Sequence, residues 1–201
     1  MGKVIRRGHR IIGAILVLPF LGWAVTGLIF FIKPGYGDAY AQLKPKTYPL
    51  KLDQLPVPDP NWLECRLVTT TLGNHLLVAT QEGPQHLRLE TGESWPLPQA
   101  AELRRLIEDA IATRPDRYGS IASVEGALIT TSTGVTINLN WPNLSLYQSG
   151  PDTRRIDRLY KIHYLQWSGS AGFDRFLGIA GLLLLMVMTG SGVYLLIRSG
   201  I

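Results

Sequence analysis

Two long apolar runs lie near the ends of the chain, and shorter stretches of alternating apolar and polar residues lie between them. Residues 11–32 (IIGAILVLPFLGWAVTGLIFFI) and 176–197 (FLGIAGLLLLMVMTGSGVYLLI) contain no charged residue. At ~1.5 Å per helical residue each run covers roughly 33 Å, enough to cross a hydrocarbon core of ~30 Å. The pattern therefore predicts two transmembrane helices, and it favours them over a pair of buried helices in a soluble protein.

The region between the runs predicts several short strands, one helix and then more strands. The strands are expected at Cys65–Thr71, Leu76–Thr80, Gln85–Leu89, 119–130, 133–140 and 143–148, with breaks at Gly126, Gly134 and Pro142. Residues 99–113 have apolar side chains at helical spacing and predict an amphipathic helix. This order indicates an α+β domain in which one curled antiparallel sheet carries a helix on its face.

The whole chain then divides by composition into six segments. They are a basic N-terminus (1–10), a first transmembrane helix (11–32), a proline-rich linker (33–60), a folded domain (61–152), an amphipathic helix at the membrane interface (153–170) and a second transmembrane helix (176–197). The amphipathic segment begins with TRRIDRLYKIHYLQWS (153–168), which carries its basic residues on one helical face and its apolar residues on the other. Such a helix next to a span is expected at the membrane surface.

The distribution of positive charge predicts the orientation. The chain has 20 Lys and Arg against 15 Asp and Glu, and its first ten residues contain four cations and no acid. The positive-inside rule places that end in the cytoplasm, while a loop as long as 33–175 crosses the membrane largely regardless of its charge. We expect both termini in the cytoplasm, the middle domain in the periplasm, and the protein in a bacterial inner membrane. The first run is too long for a cleaved signal peptide and no small-residue cleavage site follows it, so it is expected to stay as an anchor.

The basic residues cluster at the membrane borders and form no stripe with interleaved aromatic residues, which favours contact with lipid and argues against nucleic-acid binding. The side chains expected to anchor the chain at the interface are Arg6, Arg7, Arg10, Arg154, Arg155, Arg158, Tyr164 and Trp167.

Four histidines and one cysteine are the candidates for chemistry. His75 and His86 are expected at the surface, in a turn and at a strand start, and Cys65 is expected in the core. His9 and His163 each lie at the mouth of a span, and imidazole is a common haem ligand. Within one chain they would lie roughly 30 Å apart on opposite sides of the bilayer. A two-fold dimer or a partner could pair them at two haem b sites, while contact with lipid headgroups is the simpler alternative.

No arrangement of nucleophile, base and acid, no zinc motif and no nucleotide fingerprint is present, so the sequence favours binding over catalysis. No catalytic residue, metal site or required cofactor is predicted.

Small residues on the spans predict close helix packing, because they let two backbones approach in lipid. They could pair the two spans with each other, with a partner subunit or with a second copy of the chain. The residues are Gly22, Thr26, Gly27, Gly178, Gly181 and Gly190.

Three segments together resemble the PepSY-associated transmembrane family of bacterial envelope proteins. They are RRGHRIIGAILVLPFLGWAVTGLIF (6–30), HLRLETGESWPLPQAAELRRLIEDA (86–110) and DTRRIDRLYKIHYLQWSGSAGFDRFLGIAGLLLLMVMTGSGVYLL (152–196). The resemblance implies a cystatin-like PepSY module outside the membrane and a short, two-helix member of the family. It implies an accessory or interaction subunit of a larger membrane complex. As alternatives it implies a b-type haem electron carrier in a ferric-siderophore reductase system, or a periplasmic modulator of proteases.

Overall fold

The computed structural model describes residues 2–50 and 57–199, and their contacts divide the chain into two compact units. The first unit contains the residues before Asp38 and after Thr153, and the second contains residues 38–153. Part of the proline-rich linker predicted over 33–60, residues 51–56, lies outside the described residues.

The first unit is built on two long apolar helices. They are α1 (Gly2–Ile32) and α6 (Ala171–Arg198), and both are long and apolar enough to cross a membrane. The helices run antiparallel, since His9 contacts Ser191 and Gly13 faces Met188. Only 11% and 6% of their most apolar windows are buried, so most of their apolar surface is not covered by the described chain.

The short helix α2 (Tyr36–Ala39) follows α1, and a second amphipathic helix, α5 (Pro151–His163), precedes α6. Helix α5 ends five residues earlier than the sequence predicts, because Leu165 takes a positive φ of 55° and turns the chain. The following loop closes against α6, where the Ser168 backbone N–H and hydroxyl both donate to Asp174 in the first turn.

The second unit contains two antiparallel sheets rather than the single sheet that the sequence predicts. The first has the order β1 (Glu64–Thr70), β2 (Gly73–Thr80), β3 (Gly83–Arg88). The second has the order β4 (Ile121–Glu125), β5 (Leu128–Thr131), β6 (Thr136–Asn140), β7 (Ser145–Ser149). The chain breaks predicted at Gly126, Gly134 and Pro142 are confirmed, since each lies between two of these strands.

Helix α3 (Ala100–Ile111) confirms the predicted amphipathic helix, and a single further turn, α4 (Pro115–Tyr118), follows it. One face of α3 is buried, and its residues Leu106 and Ile107 are 1% and 0% exposed. They pack in one apolar core with side chains from both sheets, among them Ile129 and Ile137 of the second sheet. The core joins the two sheets and α3 into one folded body.

The first part of the second unit, before β1, is held against α3 and β1 by polar contacts. The Tyr48 hydroxyl donates to the Asp109 carboxylate of α3 at 2.8 Å, and its backbone N–H donates to Thr69 at 2.9 Å. The Lys46 ammonium lies 3.2 Å from the same carboxylate. The segment is therefore part of the fold and not a free linker over these residues.

The expectation that Cys65 lies in the core is wrong, because its side chain is exposed. Strand β1 is at the edge of its sheet, and its first three residues are exposed on both faces. Alternation of apolar and polar residues therefore does not predict burial in the first half of this strand.

Candidate functional site

His75 and His86 are buried in the second unit, so the expectation that both lie at the surface is wrong. Their side chains are 0% and 5% exposed. Strand β2 begins at Gly73, three residues earlier than the sequence predicts, because the β1–β2 connection is the two-residue turn Thr71–Leu72. His75 therefore lies within a central strand and not in a turn.

A continuous chain of hydrogen bonds runs through the two imidazoles. Thr70 Oγ1 lies 2.7 Å from His75 Nε2, and His75 Nδ1 lies 2.8 Å from His86 Nε2. His86 Nδ1 lies 2.7 Å from the backbone carbonyl oxygen of Trp141. We call these four groups, from the Thr70 hydroxyl to the Trp141 carbonyl, the histidine clasp.

The Trp141 carbonyl fixes every proton in the clasp. A carbonyl oxygen can only accept, so His86 Nδ1 carries a proton and donates it. In a neutral ring His86 Nε2 then accepts, which requires His75 Nδ1 to donate. His75 Nε2 in turn accepts from the Thr70 hydroxyl, whose oxygen accepts from the Leu72 backbone N–H at 3.1 Å. The neutral clasp is thus fully hydrogen-bonded with a single proton order.

Two tryptophans enclose the imidazoles. Trp95 stacks on His75 with ring centroids 4.5 Å apart and an interplanar angle of 9°. Trp141 covers His86 with a centroid distance of 4.0 Å. The Arg88 guanidinium in turn lies 4.3 Å above the Trp95 ring. The clasp therefore lies among aromatic carbon surfaces, with the nearby charge being positive.

Both histidines are held neutral by this environment. Burial lowers the pKa of His75 to about 3, and the neighbouring His86 ring and the Arg88 cation lower it further. Burial also lowers the pKa of His86, while its bond to the Trp141 carbonyl partly opposes that effect. A charged imidazole loses its hydration in such a site, which is the main reason for both shifts.

His86 also lines an open groove of about 800 Å³ on the second unit. The groove is bounded by β3, by the end of β6 and by the segment 94–97. Its other lining residues are mainly apolar, aromatic or proline, including Pro84, Trp95, Leu97, Leu139, Trp141 and Pro142.

In the first unit, His163 of α5 contacts the last turns of α1. Its Nδ1 lies 2.8 Å from Thr26 Oγ1, and its backbone carbonyl accepts a 2.6 Å hydrogen bond from Trp23 Nε1. One turn earlier, Tyr160 stacks on Phe30 with centroids 4.6 Å apart. Helix α5 therefore runs antiparallel to α1, and its last turn lies beside the apolar part of that helix.

His9 has a similar partner on α6. Its Nδ1 lies 2.8 Å from Ser191 Oγ, and the Ser191 hydroxyl donates to the Met188 carbonyl at 2.9 Å. Thr26 likewise donates its hydroxyl proton to the Gly22 carbonyl at 2.5 Å. In both cases a hydroxyl lies between a backbone carbonyl oxygen and an imidazole Nδ1. Neither His9 Nε2 nor His163 Nε2 makes a hydrogen bond in the described part of the chain.

His9 and His163 are not brought together. His163 lies beside Thr26, which follows His9 by 17 positions on the same helix. At ~1.5 Å per residue this separation is roughly 26 Å along the helix.

The small residues predicted to pack helices divide into two groups. A side chain at Gly22 would meet Ile162 of α5, and one at Gly181 would meet Leu165 and Trp23. Positions Gly27 and Gly190 instead face open space, with nothing within 4 Å. A Cβ added at Gly178 would lie 4.0 Å from the Tyr164 carbonyl oxygen, and the Thr26 hydroxyl contacts His163.

The predicted interface anchors are at the surface of the first unit. Tyr164 and Trp167 are 58% and 50% exposed. The six arginines predicted as anchors are also exposed, and they form no ion pair in the described part of the chain: Arg6, Arg7, Arg10, Arg154, Arg155 and Arg158.

Residues 2–50 and 57–199 contain no group of three or more His, Cys, Asp or Glu side chains placed to hold a metal ion. Comparisons with protein-family models, with curated proteins and with solved structures found no match to this chain. The resemblance to PepSY-associated transmembrane proteins therefore stays a prediction.

Proposed function

We propose that this chain is a non-catalytic, membrane-anchored accessory subunit of a larger complex in a bacterial inner membrane. In this proposal α1 and α6 span the bilayer, both termini are cytoplasmic, and the second unit is a PepSY-type module in the periplasm. The protein acts by holding this module at the membrane and by offering its helices to a partner.

The low burial of the two apolar helices carries the proposal. With 11% and 6% of their most apolar windows buried, most of the apolar surface of α1 and α6 is free for lipid or for other helices. In lipid there is no hydrophobic driving force for apolar side chains to associate. Helix pairing in a bilayer therefore depends on close approach of the two backbones. Gly27 and Gly190 leave room for that approach on faces that the described chain does not cover.

Helix α5 supports the placement at a membrane surface. Tyr160 lies at the level of Phe30, close to the end of the apolar run of α1, and His163 lies one turn deeper. Arg158 and Lys161 are exposed at about the level of Tyr160. Long cationic side chains at this depth reach the headgroups while their stems stay in apolar surroundings. Anionic lipid is therefore the proposed contact of this basic face.

Purification of the full chain in mild detergent tests the accessory role, with co-purifying chains identified by mass spectrometry. We expect the wild type to elute as a complex larger than one chain. Gly190→Leu and Gly27→Leu should release the partner because they fill uncovered faces. Gly172→Leu is the matched control, since it also adds bulk in open space but lies in the first turn of α6. A wild type that elutes alone as a monomer contradicts the proposal.

A second candidate function, one-electron transfer through haem b, is favoured by the contacts of His9 and His163. Histidines that ligate metals usually have one ring N–H held by an acceptor while the other nitrogen ligates. Nδ1 of His9 and Nδ1 of His163 lie 2.8 Å from the hydroxyl oxygens of Ser191 and Thr26, which can serve as such acceptors and leave Nε2 available to an iron. His9 and His163 lie far apart along α1, so each could supply only one axial ligand to its own haem. The second axial ligand would come from a partner subunit or a second copy of the chain. Bound haem would supply the electron transfer, and these residues would hold the iron.

A reduced-minus-oxidised spectrum of the purified full chain and its complex tests this second function. A b-type α-band that is lost in His163→Ala and retained in the neighbouring control Gln166→Ala supports it. The absence of any such band in the wild-type complex overturns it.

A further inference from the structure

The histidine clasp joins the two sheets of the second unit. His86 belongs to β3 in the first sheet, and its acceptor Trp141 directly follows β6 in the second. A second bond runs the other way, from Trp141 Nε1 to the carbonyl of Trp95 at 2.6 Å, and the Trp95 backbone N–H donates to the His86 carbonyl. The clasp is thus a polar connection inside an otherwise apolar contact between sheets.

An additional proton cannot enter the clasp without breaking it. At His86 Nε2 the proton would face the N–H of His75 Nδ1. At His75 Nε2 it would face the Thr70 hydroxyl proton. If the Thr70 hydroxyl turned away to accept from His75 Nε2–H, its proton would have no acceptor in the described part of the chain, where Thr70 Oγ1 contacts only His75 Nε2 and the Leu72 N–H. A buried donor without an acceptor is strongly unfavourable.

The surrounding elements do not offset a positive charge on either ring. Arg88 on β3 is a cation that acts on His75 through space, and no carboxylate contributes to the pKa shift of either ring. Arg66 on β1 donates to the Asn143 carbonyl in the β6–β7 turn. Glu90, which follows β3, is engaged with the Asn74 amide. The remaining neighbours of the rings, Trp95 and Trp141, carry no charge.

We propose that the histidine clasp is an acid-sensitive latch, which holds the two sheets together while both imidazoles are neutral and releases them when either is protonated. Because burial lowers the pKa of both rings, release belongs to the acid range below the ordinary histidine pKa of 6.5. His86, Trp95 and Trp141 also line the groove, so release changes the groove at the same time. The latch thereby makes the shape of this surface depend on the pH around the second unit.

Hydrogen–deuterium exchange of the full chain in detergent micelles tests the latch, with peptides resolved by mass spectrometry at pH 7 and pH 5. After correction for the intrinsic exchange rate, we expect protection of residues 74–88 and 136–146 to fall about tenfold or more at pH 5. Peptides from α1 and α6 should keep their protection. Equal protection of the clasp region at both pH values overturns the proposal.

The double variant His75→Gln/His86→Gln keeps side-chain donors and acceptors but cannot titrate. Its protection should be the same at pH 7 and pH 5, and a response as large as that of the wild type contradicts the latch. His163→Gln is the matched control, since it removes a histidine of the first unit and should keep the full response. If the double variant does not fold, nitrogen chemical shifts of the wild-type imidazoles decide. Both imidazoles must be neutral where residues 74–88 and 136–146 are fully protected and protonated once that protection is completely lost, and neutral rings in the unprotected state would contradict the latch.

Discussion

The Thr26 hydroxyl oxygen of α1 lies 2.8 Å from His163 Nδ1 of α5 and 2.5 Å from the Gly22 carbonyl oxygen of its own helix. Thr26 is 2% exposed and His163 is half-buried. This contact fixes the last turn of α5 at a defined position along α1.

Replacing Thr26 with Val keeps the shape of the side chain and removes the hydroxyl that is hydrogen-bonded to His163 Nδ1. We expect a loss of about 1 kcal/mol, the usual net value of such a bond between apolar helices. Exchange of the backbone amides in residues 156–166 should rise about fivefold in detergent micelles. Thr189→Val is the matched control on α6, because the Thr189 hydroxyl bonds only to Leu185 of its own helix. Equal effects of the two variants would show that the bond to His163 does not hold α5.

The second unit should lose stability as the pH falls from 7 to 5. Below the ordinary histidine pKa of 6.5 the unfolded chain binds protons that the folded chain excludes, since the folded pKa of His75 is about 3. The folded state is therefore favoured fully above pH 6.5, and this contribution is lost progressively as the pH falls towards 3. We expect a decrease of about 2 kcal/mol from His75 between pH 7 and pH 5 in urea unfolding of the full chain. Between pH 8 and pH 7 the two histidines should contribute little change, and a stability that rises on acidification would contradict the assignment.

Replacing Trp141 with Phe removes the indole N–H that donates to the Trp95 carbonyl and keeps an aromatic ring over His86. The Trp95 carbonyl then loses its buried donor, and we expect a loss of about 1–3 kcal/mol in the same urea experiment. Trp62→Phe is the control, because the Trp62 indole makes no hydrogen bond in the described part of the chain. A Trp141→Phe chain as stable as this control would show that the bond between the sheets is not needed.

Cys65 provides a test of orientation, since it is the single cysteine of the chain and is exposed. A maleimide that cannot cross membranes should label Cys65 in intact spheroplasts if the second unit is periplasmic. The variant Cys65→Ser/Ser199→Cys moves the thiol to the end of α6 and should react only after the membrane is permeabilised. The reverse pattern of labelling would overturn the proposed topology.

The helices could be predicted from the sequence because each is specified locally. The uncharged runs indicate α1 and α6, and the apolar spacing of residues 99–113 indicates α3. The β2 strand was predicted to start too late, at Leu76 rather than Gly73, because the four residues Leu72–His75 were interpreted as the turn. His75 alternates with Leu77 in the strand, and alternate positions share a face. Residues 75–78 are all buried, so both faces of β2 are covered, and the apolar run that directly follows His75 is the signal in the sequence that could have placed it in the core.

The contacts that make the two histidine sites lie far apart in the sequence and could not be predicted from local pattern. His86 meets the carbonyl of a residue 55 positions later, and His163 meets a residue 137 positions earlier. The sequence predicts His163 at the mouth of the second span, whereas it ends α5 and its partner Thr26 is on α1, because the chain turns at Leu165 before α6 begins. The division into two sheets likewise depends on how α3 and the core separate β3 from β4.

Two neighbouring histidines beside an open groove invite the assignment of a transition-metal site, and the proton order of the clasp argues against it. Coordination needs a nitrogen lone pair directed at the ion, and each lone pair of His75 and His86 is already occupied by a donor within the protein. Acid does not free these lone pairs, because the incoming proton takes the same position that an ion would need. A ligand that enters the groove therefore meets ring faces, proline edges and peptide groups, and selection there depends on shape and aromatic stacking rather than on coordination chemistry.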